Sequence, residues 1–229
     1  MIDIVQIGAN IGKDPSCDVI WLQFEYARRP GLSGLFVEPF ESSFEKLKEY
    51  YSQFENCFFE RCAIMEPKFA EENDHVVLNY WDNCPADNCR ASVVKTAASF
   101  KPNDLQVEVP CMSLPDLLDK YGLRGQEFEL LQIDAEGKDY DMILTTNWDN
   151  YLPKYIRAET VQLPQTIRNP KRILDKYLSS FGYHQIDSAE DPYAMLAIKW
   201  KAELERYNVE VPDLEPAWYN TLWRKECRY

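Results

Sequence analysis

The sequence predicts an open α/β fold, a mostly parallel sheet with helices on both faces. Two observations carry this. Strand-like apolar runs alternate with amphipathic helical stretches through the first 64 residues, the order that builds parallel crossovers. Three of the strands end in glycine or an acid, at the end where such a sheet presents its ligand site.

Ile2 to Ile7 is a short apolar run closed by Gly8, and predicts a buried strand. Asp18 to Arg29 mixes Val19, Ile20, Leu22, Phe24 and Tyr26 with polar residues and predicts a helix, which Gly31 to Gly34 breaks. Leu35 to Val37 predicts the second strand, ending at Glu38-Pro39. Phe44, Leu47, Tyr50, Tyr51 and Phe54 recur at three- and four-residue steps, the pattern of an amphipathic helix. Cys57 to Ile64 predicts a third strand.

The middle is less regular. His75 to Trp81 and Gln106 to Cys111 predict strands around a polar Asn83–Asn103 loop, with at most a short strand at Ala91–Val94. Ser113 to Tyr121 predicts a helix with Ser113 as its N-cap and Asp116 three residues on. Phe128 to Ile133 predicts a strand ending at Asp134, Asp139 to Thr146 a helix, and Tyr155 to Ala158 a strand ending at Glu159. Pro170 to Phe181 predicts a helix stopped by Gly182, and Tyr183–Ile186 with Ala194–Trp200 an antiparallel strand pair. No repeat or linker interrupts residues 1–229, so a single domain is expected, with an insert at about 66–112 and an aromatic extension at about 201–229.

Hydrophobic residues make up 45% and charged residues 28% of the 229, an ordinary globular balance. The net charge of −13, without a basic patch, argues against nucleic-acid binding. No apolar run is long enough for a bilayer span. The start, Met1-Ile2-Asp3-Ile4-Val5, has no basic-then-apolar leader pattern. Seven cysteines are an odd number, so reduced thiols and a cytoplasmic location are expected. Cys57/Cys62 and Cys84/Cys89 are spaced too widely for a usual structural zinc pair.

The chemistry gathers at three strand ends: Gly8-Ala9-Asn10-Ile11-Gly12, Glu38, and Asp134-Ala135-Glu136-Gly137. Glycines allow a tight turn and close approach of a ligand. Glu38 stands where an acid accepts hydrogen bonds from both hydroxyls of a ribose. Asn10 and a missing third glycine break the dinucleotide fingerprint, so a pyrophosphate has no cradle. A nucleoside cofactor without phosphate, S-adenosylmethionine, needs none.

Val5–Gly12, Phe36–Pro39 and Leu131–Gly137 resemble the three hallmark segments of FkbM-type S-adenosylmethionine-dependent methyltransferases. Leu114-Pro115-Asp116-Leu117-Leu118 is similar to the helix that precedes the third segment, Ile156–Glu159 to the strand that follows it, and Gly182-Tyr183 to a later Gly-Tyr pair. The likeness covers roughly residues 2 to 200. It implies a class I methyltransferase fold with an antiparallel C-terminal strand. It also implies methyl transfer to a hydroxyl of a sugar, glycan or natural product.

By the same resemblance, Gly8, Asn10 and Gly12 would face the methionine part of the cofactor and Glu38 its ribose. Pro39, Phe40 and Ala63 would lie near the adenine, and Asp134 where cofactor and acceptor meet. The catalytic candidates are Asp134, Glu136 and Glu159, with Glu136 or Glu159 as base. The same three acids would suit magnesium, although no dedicated metal motif is present. This chain departs from the family pattern at Gln6, where an acid is common. It departs again at Ala135 and Asp139, where Val and Glu are common. The segment that covers the cofactor ahead of the first strand in many members has no counterpart before Ile2, so Asn83–Asn103 is the candidate lid. A catalytically silent binding module is the competing reading.

Overall fold

The structure is a computed structural model that describes residues 2–12, 20, 23–24, 27–80, 91–92, 105–135, 137–160, 164, 167–187, 190–193, 195–196, 198–199, 202 and 220–226. Its elements, in chain order, begin with β1 (Ile4–Ile7), β2 (Gly34–Val37), α1 (Glu41–Tyr51), β3 (Cys57–Glu60), β4 (Ala63–Met65) and α2 (Pro67–Glu72). Then come β5 (His75–Tyr80), β6 (Ala91–Ser92), β7 (Leu105–Ser113), α3 (Leu114–Lys120), β8 (Glu127–Ile133) and α4 (Asp139–Thr145). The last are β9 (Leu152–Glu159), α5 (Pro170–Ser180), β10 (Tyr183–Gln185) and β11 (Asn220–Lys225).

Seven strands form one sheet in the order β3-β2-β1-β8-β9-β11-β10. β1 pairs in parallel with β2 and β8, β2 with β3, and β8 with β9, while β11 is antiparallel to both β9 and β10. This is the class I methyltransferase sheet that the resemblance implies. β1 and β2 are buried at every residue, as central parallel strands covered on both faces must be.

One face carries α1, whose Phe44, Leu47 and Tyr51 meet Ile4, Phe36 and Leu130 of the strands. Aromatic rings tighten that contact: Phe36 and Tyr51 lie 4.1 Å apart, and Phe24 meets Tyr51 edge-on at 5.3 Å. The opposite face takes α3, α4 and α5 through Leu117, Leu118, Ile143, Leu174 and Leu178 against Val5, Leu131 and Ile156. Ser113 caps α3 as expected, its Oγ accepting the N–H of Asp116 at 3.2 Å.

The expected third strand divides. Glu60 is the last residue paired with β2, and Ala63–Met65 leaves to pair with β7 in a second sheet, β4-β7-β5-β6. The reason is burial. β3 is a sheet edge with Phe58 44% exposed, whereas Ala63 and Met65 bury against Val76, Leu78 and Val109.

The expected strand at Ala194–Trp200 is corrected as well. Its described residues, 195–196 and 198–199, are helical. Asp191 starts that turn, its Oδ1 accepting the N–H of Tyr193 and its carbonyl that of Met195. The partner of β10 is instead β11, inside the aromatic extension, where Trp223 is fully buried. Half of the Asp18–Arg29 helix, most of the Asn83–Asn103 loop, and Trp218, Tyr219 and Tyr229 lie outside the described residues. Among the described residues no helix is long and apolar enough to cross a membrane. Cys57, Cys62 and Cys111 are free thiols.

Candidate active site

The carboxyl ends of β2, β1, β8 and β9 stand side by side, because Val37, Ile7, Ile133 and Ala158 are register partners. The next residues are Glu38, Gly8, Asp134 and Glu159. Strand spacing puts Glu38 and Asp134 about 10 Å apart across Gly8, with Glu159 one spacing beyond Asp134.

Gly8 is held by backbone bonds on both sides of β1. Its N–H donates to the Val37 carbonyl at 2.9 Å, and the Asp134 N–H donates to the Ile7 carbonyl at 3.0 Å. It has φ +75°, and a Cβ there would stand 1.9 Å from the Asp134 carbonyl oxygen. Only glycine lets the two strand ends approach this closely. Gly12 serves a different contact. Its φ is +68°, and a Cβ would meet Tyr51 at 2.4 Å and Leu47 at 2.5 Å, so it lets α1 pack under the turn.

Glu38 is 6% exposed. Its Oε2 accepts the N–H of Asn10 at 2.8 Å and its Oε1 the N–H of Phe40 at 2.9 Å. Burial raises its carboxyl to about 7, against the pull of those two donors. Asn10 has φ +48°, a conformation asparagine tolerates better than most residues. Phe40 also starts α1, its carbonyl accepting the N–H of Phe44. Pro39 and Phe40 are half-buried beside Glu38. Ala63 begins β4 and packs in the second sheet with Met65 and Val109. Glu136 is outside the described residues.

A family model, the methyltransferase FkbM domain, matches residues 6–184. The chain belongs to that family. The match takes in every strand-end residue named above. No curated protein matches the chain. Among solved structures, it is similar to a Thermoplasma acidophilum protein described as a methyltransferase, at 11% identity and TM-score 0.36, covering 98% of this chain and 68% of that one. It is also similar to the plantazolicin methyltransferase BpumL in complex with a pentazolic desmethylPZN analog and S-adenosylhomocysteine. There the identity is 9% and the TM-score 0.42, covering 98% of this chain and 77% of that one.

The residues of this FkbM domain fit a nucleoside cofactor. Each oxygen of an ionised carboxylate accepts about two hydrogen bonds. After the bonds from Asn10 and Phe40, Glu38 therefore keeps acceptor capacity for two hydroxyls.

Two features of the FkbM domain escaped sequence reasoning. Gln6, Gln132 and Arg157 are register partners on three adjacent strands, 3%, 3% and 1% exposed, with Arg157 donating to Gln132 Oε1 at 3.4 Å. They form a buried polar row two residues below the strand-end residues. The available signal was their shared offset: each stands two residues before Gly8, Asp134 or Glu159 in an otherwise apolar run. The second is the burial of Asp139 beside the β8 loop, a residue that sequence reading noted only as the start of a helix and a departure from the family's Glu.

Proposed function

We propose that this FkbM domain transfers a methyl group from S-adenosylmethionine to a hydroxyl of a sugar, glycan or natural product. The observation that carries the reading is Glu38, a buried carboxylate fixed to the β1 turn and set across Gly8 from Asp134. In this reading the whole chain acts as one domain. The odd cysteine count favours the cytoplasm, and a charge of −13 favours an acceptor other than nucleic acid.

Gly8, Asn10 and Gly12 shape the turn that would receive the methionine end, Glu38 would take the ribose hydroxyls, and Pro39 and Phe40 would border the base. When bound, the cofactor supplies an electrophilic methyl group on a sulfonium. The chain's own work is alignment and proton removal. Asp134 orients cofactor and acceptor, and Glu159 or Glu136 takes the acceptor hydroxyl's proton, a contribution of about 10²–10⁴-fold in rate.

The first test is thermal stability alone, with S-adenosylhomocysteine, and with NAD. A ligand at about 100 times its Kd stabilises by about 2.7 kcal/mol, which raises the midpoint of a chain this size by roughly 5–10 °C. A shift with S-adenosylhomocysteine alone supports the reading, and hydroxylated acceptors are then screened with labelled methyl donor, with and without chelator. Absence of that shift overturns it in favour of a silent binding module. Asp134→Asn should keep the fold and lose turnover.

A further inference from the structure

Lys138 closes the loop that leaves β8 and is the N-cap residue of α4. Its side chain is 16% exposed, and its ammonium donates to Glu66 Oε1 at 2.7 Å. Asp141 Oδ2, one turn into α4, lies 3.5 Å away on the same ammonium. Lys138 and Glu66 stand 72 positions apart in sequence. The loop belongs to the seven-stranded sheet and Glu66 follows a strand of the four-stranded one, and the two sheets share no strand. Among the described residues no other ion pair joins them at this loop.

Both ends of the contact are fixed. Glu66 stands where β4 passes into α2, directly after the buried Met65. Its carbonyl accepts the N–H of Ala70 at 3.0 Å, and Phe69 packs α2 against the second sheet. At the other end the Lys138 carbonyl accepts the N–H of Met142 at 3.1 Å, and Met142 and Ile143 lie in the main core. The loop itself starts at Asp134, whose N–H donates to the Ile7 carbonyl, and turns through Gly137 at φ +96°.

A lysine largely withdrawn from water is screened by salt less than a surface pair. Its flexible stem takes its direction from the partner it meets. Glu66 draws Lys138 toward the second sheet, whereas Asp141 alone would draw it back along its own helix. We propose that Lys138 is a positioning residue, whose ion pair with Glu66 docks the loop after β8 on the second sheet and so fixes Asp134 at the strand ends. The effect on turnover rests on the role proposed above for Asp134. The docking itself does not.

The experiment compares the wild-type chain with Glu66→Gln, Lys138→Met, Lys138→Arg and the exchanged pair Lys138→Glu with Glu66→Lys. Backbone amide exchange is read beside steady-state methylation of the hydroxylated acceptor found in the screen above. Glu66→Gln changes the far side of the contact and is read in the loop. The residue-138 amide, bonded to the Ala135 carbonyl at 3.2 Å, should lose about tenfold of its protection there and in Lys138→Met. Lys138→Arg and the exchanged pair should restore it. In parallel, kcat should fall about tenfold in Glu66→Gln and Lys138→Met, with the acceptor KM within about twofold, and recover in the two restoring variants. Unchanged protection of the Lys138 amide in Glu66→Gln overturns the docking, as does an exchanged pair that folds without restoring it. Lost protection with unchanged kcat overturns the positioning role. If a Lys138 variant does not fold, Glu66→Gln alone decides both points. A wild type that binds S-adenosylhomocysteine yet methylates nothing counts against the proposed function, and the exchange result still decides the docking.

Discussion

The carboxylate of Glu38 accepts the backbone N–H of Asn10 at 2.8 Å, so the tip of β2 holds the turn that leaves β1. A ligand that grips Glu38 therefore acts on both strand ends at once. Hydroxyl donors favour the ionised carboxylate, and Glu38 titrates near 7 in the free protein. S-adenosylhomocysteine should bind more tightly as pH rises from 6 to 8, releasing protons below 7, and calorimetry in two buffers reads both effects. Glu38→Gln should weaken binding by about 1.5–3 kcal/mol, roughly tenfold to a hundredfold, and abolish the pH dependence. An affinity indifferent to both changes removes Glu38 from the ribose site.

Gly8→Ala forces a side chain into the Asp134 carbonyl and strains a left-handed backbone. The cost should be about 2–5 kcal/mol, seen as a midpoint lowered by roughly 5–15 °C. A variant that melts with the wild type would mean that the β1 and β8 ends are farther apart than described.

Stability should fall as pH rises from mildly acidic to mildly basic. Burial raises Glu38 from 4.5 to about 7 and Asp139 from 3.8 to about 6. The folded state therefore holds these protons more tightly than the unfolded state. The resulting stabilisation is complete below about pH 4 and lost as pH passes 6 and then 7. Between pH 5.5 and 8 the two together amount to about 3 kcal/mol, or roughly 6–12 °C in melting midpoint. Glu38→Gln should remove more than half of that difference.

Trp223 is fully buried in β11, and its indole N–H donates to Asp175 on α5 at 2.9 Å. Trp223→Ala should cost about 3–5 kcal/mol. Guanidinium unfolding of the pure variant measures it, and a loss under 1 kcal/mol would contradict the burial.

The strand ends were legible because each closes an apolar run with a glycine or an acid, as at Gly8, Glu38 and Asp134. The helix caps were legible where the side chain itself supplies the acceptor, as at Ser113. Pairing partners were not. Cys57–Ile64 reads as one strand, because nothing local reveals that Ala63 will pair with Cys111, far along the chain. The same holds for β10, whose partner is chosen by packing of Trp223 rather than by the residues next to it. The burial of Arg157 and Asp139 was not legible, because a buried charge looks like a surface charge until its neighbours are known.

The position of β11 has a kinetic consequence. β10 pairs only with β11 among the described residues, and β11 slots between β9 and β10 after residues 186–219 have intervened. During synthesis β9 is therefore exposed along one edge, and β10 has no neighbour, until Lys225 has cleared the ribosome. Closing so long a loop is slow compared with forming the earlier crossovers. The nascent chain passes through a state with an open, apolar sheet edge, the kind of surface that chaperones hold and other chains add to.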